Sequence, residues 1–140
     1  MRLEHINLVV KDLNVSLNFY QAAFPHWKIR QRGKGVWNGV DRNWLHFGDD
    51  FHFITLNDNG SGENRDLTKY SIGLAHFAYV TQNLAQLIER MKKAGFELEK
   101  FGPQNPFRTN AYFIDPDGFE VEFVEYRSDL PHERNISEEN

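Results

Sequence analysis

Three side chains that could bind a metal ion stand at related positions in this chain. His5 and His76 occupy equivalent places, because residues 3–25 align with residues 74–96 without a gap. Glu122 follows in a strand-like segment of the second half. Two imidazoles and one carboxylate can hold a divalent metal ion and leave coordination positions open for a substrate. The sequence therefore offers a metal-dependent enzyme as its first functional hypothesis.

The alternation of side chains along a β-strand determines which of these groups can meet. His5 shares a face of its strand with Asn7, and Glu122 shares one with Glu120. If the two halves pair with pseudo-twofold symmetry, His5 and His76 point into the same cavity. The alternative is structural, since a histidine in a strand is more often packed or solvent-facing than a ligand. Two histidines and a glutamate in one apolar cavity are costly unless paired or metal-bound, so both interpretations stay open at this point.

The composition limits the classes of protein to which the chain can belong. It has 140 residues, of which 40% are hydrophobic and 26% charged, which is typical of one globular domain. The absence of cysteine excludes disulfides, so any metal ion must bind histidine and carboxylate groups. The net charge of −4 disfavours a nucleic-acid partner. No segment has the ~18 apolar residues of a membrane helix, and the N-terminus does not resemble a signal peptide. We therefore expect a cytoplasmic protein that contacts neither nucleic acid nor membrane.

The internal repeat predicts the architecture. Each half has the pattern strand, helix and three further strands, so the chain is a βαβββ module repeated twice. Module one covers residues 1–57, a polar linker 58–71, module two 72–127, and a polar C-terminal tail 128–140. We expect an α+β fold in which the two modules form one curved, cupped mixed sheet with the helices outside.

Local signals place the elements within each module. The first helix begins after Asp12, and the second begins after Thr81 or Asn83 and ends at Gly95. Short segments rich in branched and aromatic residues indicate strands. The predicted strands are 3–10, 28–32, 43–47 and 51–56 in module one, and 74–80, 97–101, 111–114 and 120–126 in module two.

Two motifs resemble those of a known group of proteins. They are LEHINLVVKDL at residues 3–13, followed by Ser16 and Phe19-Tyr20, and AYFIDPDGFEVEF at residues 111–123. Over about residues 1–127 the chain is similar to the vicinal oxygen chelate superfamily. That group includes glyoxalase I, extradiol dioxygenases, fosfomycin-resistance glutathione transferases and bleomycin-resistance proteins. The resemblance implies the glyoxalase/bleomycin resistance/dioxygenase fold and a single domain over residues 1–127.

The resemblance also implies a metal site. The family's ligands correspond here to His5, His76 and Glu122, which would hold one divalent ion, namely Fe, Mn, Zn or Ni. The fourth ligand position is the first-half counterpart of Glu122. A gap-free alignment puts Ile54 there, and Thr55 if the register shifts by one residue. Glyoxalase I needs a glutamate at this place, which neither residue supplies. The set therefore resembles the extradiol dioxygenases and the fosfomycin transferases more closely than lactoylglutathione lyase.

Further residues are candidates for the lining of the cavity. His52 shares the face of Ile54, and either His52 or His46 could transfer a proton. Trp44 and His46 are expected to correspond to Tyr112 and Ile114. Tyr112 is at a place where the fosfomycin transferases have a tyrosine near the metal, and Arg108 could bind an anionic substrate. The structural alternatives are that the two histidines lie on the surface, that the aromatic residues pack in the core and that the arginine is solvated.

Two classes of function follow. The first is a divalent-metal-dependent enzyme that chelates adjacent oxygens of a small substrate, with His52 and Tyr112 catalytic and Trp44, His46, Ile54 and Arg108 binding substrate. A ring-cleaving dioxygenase or a transferase fits this class better than a lyase. The second is a non-catalytic small-ligand-binding protein of the bleomycin-resistance type, which the high aromatic content of 14% would suit. A homodimer is expected in either case.

Overall fold

Each half of the sequence folds into a four-stranded sheet with one principal helix. The protein is described in a computed structural model over residues 1–136. It divides into unit 1 (Met1–Asn64) and unit 2, which begins at Arg65. No helix within the described residues is both long and apolar enough to cross a membrane.

Unit 1 has the order strand, helix and three strands. Strand β1 is parallel to β4, and the pairs β4–β3 and β3–β2 are antiparallel, which gives the sheet order β1-β4-β3-β2. The elements are β1 (His5–Val9), α1 (Leu13–Ala23), β2 (Lys28–Trp37), β3 (Val40–Gly48) and β4 (Phe53–Asn57).

Unit 2 repeats this plan and adds a short terminal helix. Its sheet order, β5-β8-β7-β6, has the same pattern of one parallel and two antiparallel pairs. The elements are β5 (Phe77–Val80), α2 (Leu84–Lys93), β6 (Lys100–Phe101), β7 (Arg108–Ile114), β8 (Glu120–Tyr126) and α3 (Pro131–Arg134). The predicted α+β fold with a repeated βαβββ plan is confirmed.

Helices α1 and α2 begin where the sequence predicts, and α2 ends as predicted. The Asp12 side chain accepts hydrogen bonds from the backbone N–H groups of Asn14 and Val15, which satisfies the first turn of α1. Asn83 rather than Thr81 caps α2, through the backbone N–H of Gln86. Beyond α2, Gly95 has a positive φ of 91°, a conformation that favours glycine and ends the helix.

Some strand boundaries differ from the prediction. The β2–β3 hairpin is longer than expected and turns through Asn38 and Gly39, whose φ angles are 50° and 78°. This two-residue Asn-Gly turn matches the twist of the flanking strands. Strand β6 is shorter than the predicted segment 97–101. Helix α3 lies in the tail expected to be polar, and the last four residues of that tail are outside the described residues.

Each sheet has one face that forms a core with its helix. In unit 1, α1 packs on β3 and β4. Every residue of β4 is buried, and the core-facing residues of β3 are buried while their neighbours are half-buried. The core residues of the sheet are Leu8, Val10, Leu45, Phe47, Ile54 and Leu56, and α1 contributes Leu17, Tyr20 and Ala23. In unit 2 the corresponding residues are Phe77, Ala111, Phe113, Val121 and Phe123, with Leu84, Leu87 and Met91 from α2. The opposite face of each sheet carries the polar candidates.

The two equivalent hairpins differ in length. Residues 49–52 join β3 to β4, whereas residues 115–119 join β7 to β8, so the first turn is one residue shorter. Asp49 accepts hydrogen bonds from backbone N–H groups within the first turn, and Asp115 does so within the second. This difference in length changes which residues correspond between the two units.

Candidate functional site

Glu122 is a buried carboxylate at the centre of a polar cluster in unit 2. It is 7% exposed and lies opposite Ala78 in β5, a strand that begins at Phe77 and not at residue 74 as predicted, so that His76 lies just before it. Its Oε2 atom lies 3.0 Å from Nε2 of His76. Its Oε1 atom accepts a hydrogen bond from the Asn110 side-chain amide and another, at 3.1 Å, from the Tyr112 hydroxyl. Both carboxylate oxygens are therefore fixed in orientation.

A second carboxylate lies on the other side of the His76 ring. Glu120 Oε1 is 3.7 Å from Nδ1 of His76, and Glu120 Oε2 is 3.0 Å from Nζ of Lys100. Lys100 also lies over the ring of Tyr112, with Nζ 5.1 Å from its centroid. The imidazole thus lies between two carboxylates, which restrict its orientation at both nitrogens.

The Tyr112 hydroxyl is a hydrogen-bond donor and not a base. Burial, the charge of Glu122 and the hydrogen bond to Glu122 together raise the pKa of Tyr112 to about 12. The phenol therefore keeps its proton at neutral pH and donates it to Glu122 Oε1. In this position it orients the carboxylate.

His76 and Glu122 form an ion pair whose separation would also suit two neighbouring ligands of a metal ion. Two ligands at right angles, each about 2.1 Å from an octahedral ion, lie roughly 3.0 Å apart. The distance from His76 Nε2 to Glu122 Oε2 is 3.0 Å. Imidazole nitrogen and carboxylate oxygen suit Fe, Mn, Zn and Ni. Over residues 1–136, no group of three His, Cys, Asp or Glu side chains is arranged so that it could hold a metal ion. The contact of His76 with Glu122 is therefore a pair and not a complete metal site.

The corresponding face of unit 1 carries a group of stacked rings. His5 stacks on Phe53 with centroids 4.6 Å apart, and its Nδ1 lies 3.1 Å from Oε2 of Glu4. His46 lies 4.7 Å from Phe53, and Trp44 lies 5.1 Å from His46. His5 is therefore stacked on a phenyl ring and beside the exposed carboxylate of Glu4, whereas His76 is beside the buried carboxylate of Glu122.

His46 is held neutral by its surroundings. Burial, the positive charge of Arg30 and the neighbouring His5 lower the pKa of His46 below 6.5. The Arg30 guanidinium lies over the ring of Phe53, with Cζ 4.5 Å from its centroid. At neutral pH the imidazole can therefore accept a proton.

The first-half counterpart of Glu122 is Thr55, and the alignment with Ile54 is wrong. In β1–β4 Asn7 lies opposite Thr55, just as Ala78 lies opposite Glu122 in β5–β8. Ile54 is 0% exposed and lies on the core face, so it does not line the face of His5. The physical reason is the shorter turn at residues 49–52, which shifts the repeat by one residue. Neither Ile54 nor Thr55 has a carboxylate, so the prediction that the fourth ligand position lacks an acidic residue is unchanged.

A similar correction applies to β3. His46 pairs with Thr55, and Tyr112 pairs with Glu122, so His46 rather than Trp44 corresponds to Tyr112. Both His46 and Trp44 remain on the face of His5, as predicted. The correspondence predicted for them was displaced by two residues along β3, a shift that leaves both side chains on the same face.

His52 is not on this face. It precedes β4 in the turn, where it is exposed and its backbone N–H donates to Asp49 Oδ1 at 2.7 Å. Its ring nitrogen Nδ1 lies 3.8 Å from the same Asp49 oxygen. The prediction that His52 lines the cavity assumed that Ile54 does so. Because Ile54 lies on the core face, this prediction is also wrong.

Arg108 lies at the start of β7, on the same face as Asn110 and Tyr112. Its Nη1 donates to the backbone carbonyls of Arg134 at 2.9 Å and Ile136 at 3.3 Å. It also lines a cavity of about 640 Å³ together with Asn110. It is thus beside the Glu122 cluster but bonded to the C-terminal segment.

Sequence reasoning missed Asn110 and Lys100. Asn110 is two residues before Tyr112 in β7, so strand alternation alone puts both side chains on one face. That signal was present in the sequence. Lys100 pairs with Tyr112 through a two-residue strand, and no local pattern predicts that pairing.

Comparisons with known proteins agree with this fold. A family model described as the Glyoxalase/Bleomycin resistance protein/Dioxygenase superfamily matches residues 2–123. A lactoylglutathione lyase of Neisseria meningitidis serogroup A is 30% identical over 132 residues, covering 91% of this chain and 93% of that protein.

Solved structures give the same result. A glyoxylase/bleomycin resistance protein/dioxygenase domain from Frankia sp. EAN1pec has a TM-score of 0.73 and 26% identity, over 96% of this chain and 98% of that one. The fosfomycin resistance protein FosX of Listeria monocytogenes has a TM-score of 0.70 and 25% identity, over 95% and 97% of the two chains. The fold, the repeat and these matches together show that the chain belongs to the glyoxalase/bleomycin resistance protein/dioxygenase superfamily.

Proposed function

We propose that the protein is a divalent-metal-dependent enzyme that acts on a small oxygenated substrate through chelation of two adjacent oxygens. The observation that carries the proposal is the buried Glu122 carboxylate, with Oε2 3.0 Å from His76 Nε2 and Oε1 bonded to Asn110 and Tyr112. A carboxylate oriented by two donors and facing an imidazole is costly to bury unless a cation or proton compensates it.

His5 is proposed as the third ligand. The support is its place in the repeat, equivalent to that of His76, together with membership of the family. Thr55 at the position of Glu122 adds no fourth charged ligand, so the set leaves room for two substrate oxygens. The absence of an acid there also argues against lactoylglutathione lyase chemistry, although a lyase is among the relatives. We favour a ring-cleaving dioxygenase or a transferase.

The roles of this chain's own residues follow from their contacts. A bound divalent ion would polarise the substrate oxygens and stabilise negative charge that develops on them. Asn110 and Tyr112 hold Glu122 Oε1, so that Oε2 stays directed at His76. His46, whose lowered pKa keeps it neutral, would accept a substrate proton. Trp44 would pack against the substrate, and Arg108 would bind an anionic group when released from the C-terminal carbonyls.

The metal content of the purified protein tests the proposal. The protein would be purified anaerobically without chelators or metal-affinity columns, and metals measured by mass spectrometry in wild type, Glu122→Gln and Glu97→Gln. Glu97 is exposed, and its variant makes the same charge change outside the cluster. We expect about one transition metal per chain in wild type and Glu97→Gln and a loss in Glu122→Gln. Equal metal in all three proteins would refute the assignment of Glu122.

The identity of the metal then directs the choice of assay. Iron predicts dioxygen uptake with catechol-type substrates, whereas manganese, zinc or nickel predicts transfer chemistry. A FosX structure from Listeria monocytogenes contains Mn(II) and a dihydroxypropylphosphonic acid, which makes manganese a useful first ion for reconstitution. Light scattering during gel filtration tests the further proposal of a homodimer.

A small-ligand-binding protein is the second candidate. It is favoured by the ring group of unit 1, in which His5, Phe53, His46 and Trp44 present adjacent aromatic surfaces. Such a surface binds flat or cationic ligands without a metal. A protein that stays metal-free after reconstitution, yet gains thermal stability from an aromatic ligand, would support this candidate over the enzyme.

A further inference from the structure

We propose that Arg42 in unit 1 binds an oxyanion group of the substrate, a carboxylate or a phosphonate-like group. This inference rests on the proposed function, because it assigns the chemical class of the substrate of the same site. Arg42 is not one of the residues that the repeat singles out, and it is not one of the proposed metal ligands.

One nitrogen of the half-buried Arg42 side chain lacks a hydrogen-bond partner. Its Nη1 donates to the side-chain oxygen of Asn57, while its Nε is buried and has no hydrogen-bond partner. Within residues 1–136 no carboxylate forms an ion pair with it. A cation with a buried, unbonded N–H group and no counter-ion is a costly arrangement in a folded protein.

The unbonded part of the group has the right shape for an oxyanion. With Nη1 bonded to Asn57, the edge formed by Nε and Nη2 remains. Two parallel N–H groups on one edge of a guanidinium match the two oxygens of a carboxylate or of a phosphonate. An anion there would supply both the missing acceptor and the missing negative charge.

Space for such a group exists beside Arg42. Its direct partner on β2 is Gly35, and a Cβ atom at Gly35 would meet nothing within 4 Å. The indole of Trp37 lies over the guanidinium, 4.9 Å from Cζ, and is itself 41% exposed. Trp37 ends β2 at the Asn-Gly turn. A shift of this exposed ring would give an anion access to Nε.

The position of Arg42 joins it to the face that carries His5. Arg42 alternates with Trp44 and His46 along β3, and its acceptor Asn57 donates in turn to the side-chain oxygen of Asn7. Asn57 lies four residues beyond the Phe53 on which His5 stacks, which is roughly 13 Å along β4. The substrate would therefore carry its anionic group at a distance from the oxygens that chelate the metal.

Nuclear magnetic resonance of the arginine Nε–H groups tests the proposal in the metal-free protein. Sodium methylphosphonate and sodium acetate would be titrated separately, with sodium chloride at matched ionic strength as the control. Arg42→Lys identifies the Arg42 signal by its loss. We expect one or both oxyanions to shift the Arg42 Nε–H signal saturably, and chloride to leave it in place. The oxyanion that binds more tightly distinguishes a carboxylate from a phosphonate.

Two further variants test the place of binding and provide a control. Gly35→Val fills the open space without altering Arg42, and we expect it to weaken oxyanion binding at least tenfold. Arg32→Lys changes an exposed arginine of β2 on the other face and should bind as wild type does. An Arg42 signal that does not respond, or equal binding by Gly35→Val, overturns the proposal. Repeating the titration in Glu122→Gln separates it from the metal hypothesis, because the Arg42 response should persist there whether or not the protein binds metal.

Discussion

Thr55 occupies in β4 the position that Glu122 occupies in β8. Each lies opposite the residue two places after the repeated histidine, and each pairs with the third strand of its unit. One unit thus presents a hydroxyl where the other presents a buried carboxylate. In the proposed metal site this asymmetry would leave Glu122 as the single acidic ligand and would leave coordination positions to the substrate.

Installing the missing acid tests this relationship. We expect Thr55→Glu to lower the free energy of unfolding of the metal-free protein by roughly 2 to 4 kcal/mol, because position 55 is only 6% exposed and a carboxylate loses its hydration there. Excess Mn(II), Zn(II) or Ni(II) should restore much of the lost stability, since the carboxylate becomes a ligand. Urea unfolding with and without metal measures both effects.

Ile54→Glu is the matched control. It places the same side chain one residue earlier, on the core face, so metal should not rescue it. If metal rescued Ile54→Glu and not Thr55→Glu, the register described above would be contradicted.

The hydrogen bond from Tyr112 to Glu122 leads to two expectations. Its removal should lower the affinity for metal, and the Tyr112 phenol should ionise at an unusually high pH. Tyr112→Phe removes one donor to Oε1 and should weaken metal binding about 10- to 100-fold, as loss of a group that orients a ligand typically does. In the folded wild type the phenol has a pKa of about 12, whereas a tyrosine in the unfolded chain ionises near 10.

The direction of the stability change follows from those two values. Between pH 10 and pH 12 the unfolded chain loses a proton that the folded protein keeps, so folding stability falls as the pH rises. Tyr112→Phe should remove this part of the decline, and the phase near pH 12 should disappear from its ultraviolet tyrosinate titration. An unchanged titration in the variant would show that Tyr112 ionises normally.

The architecture could be predicted from the sequence because the two halves of the chain show the same pattern of elements, so that each supports the assignment of the other. The caps at Asp12 and Asn83 and the strand 120–126 depend on local chemistry, and all three were confirmed. The position of Ile54 was wrong because one residue fewer in a turn reverses which face a strand residue occupies. The pairing of Lys100 with Tyr112 and the orphaned nitrogen of Arg42 arise from tertiary packing, for which no local pattern exists.

The lowered pKa of His46 predicts a response to the removal of Arg30. Burial is the largest cause of the shift, and the charge of Arg30 is the next. In the metal-free protein Arg30→Gln should raise the His46 midpoint, measured from its imidazole proton resonances, while the control Arg32→Gln should not.

The same shift makes folding stability depend on pH. In wild type, as the pH falls through about 6.5, His46 binds its proton in the unfolded chain before it does so in the folded protein. Folding stability should therefore decrease below that pH, and less steeply in Arg30→Gln. Identical midpoints in all three proteins would exclude an effect of Arg30.

Two glycines of β2 provide a matched pair for the packing of Trp44. A Cβ atom at Gly33 would lie 2.6 Å from Cζ2 of the Trp44 ring, whereas one at Gly35 would meet nothing within 4 Å. Gly33→Ala should cost about 1 to 3 kcal/mol of unfolding free energy, because the indole must shift from its place beside His46. Gly35→Ala should be neutral or stabilise by about 0.5 kcal/mol, since alanine restricts the unfolded chain. Urea unfolding gives the energies, and near-ultraviolet circular dichroism reports the ring. Equal stabilities, with unchanged aromatic spectra in both variants, would mean that Trp44 does not pack on Gly33.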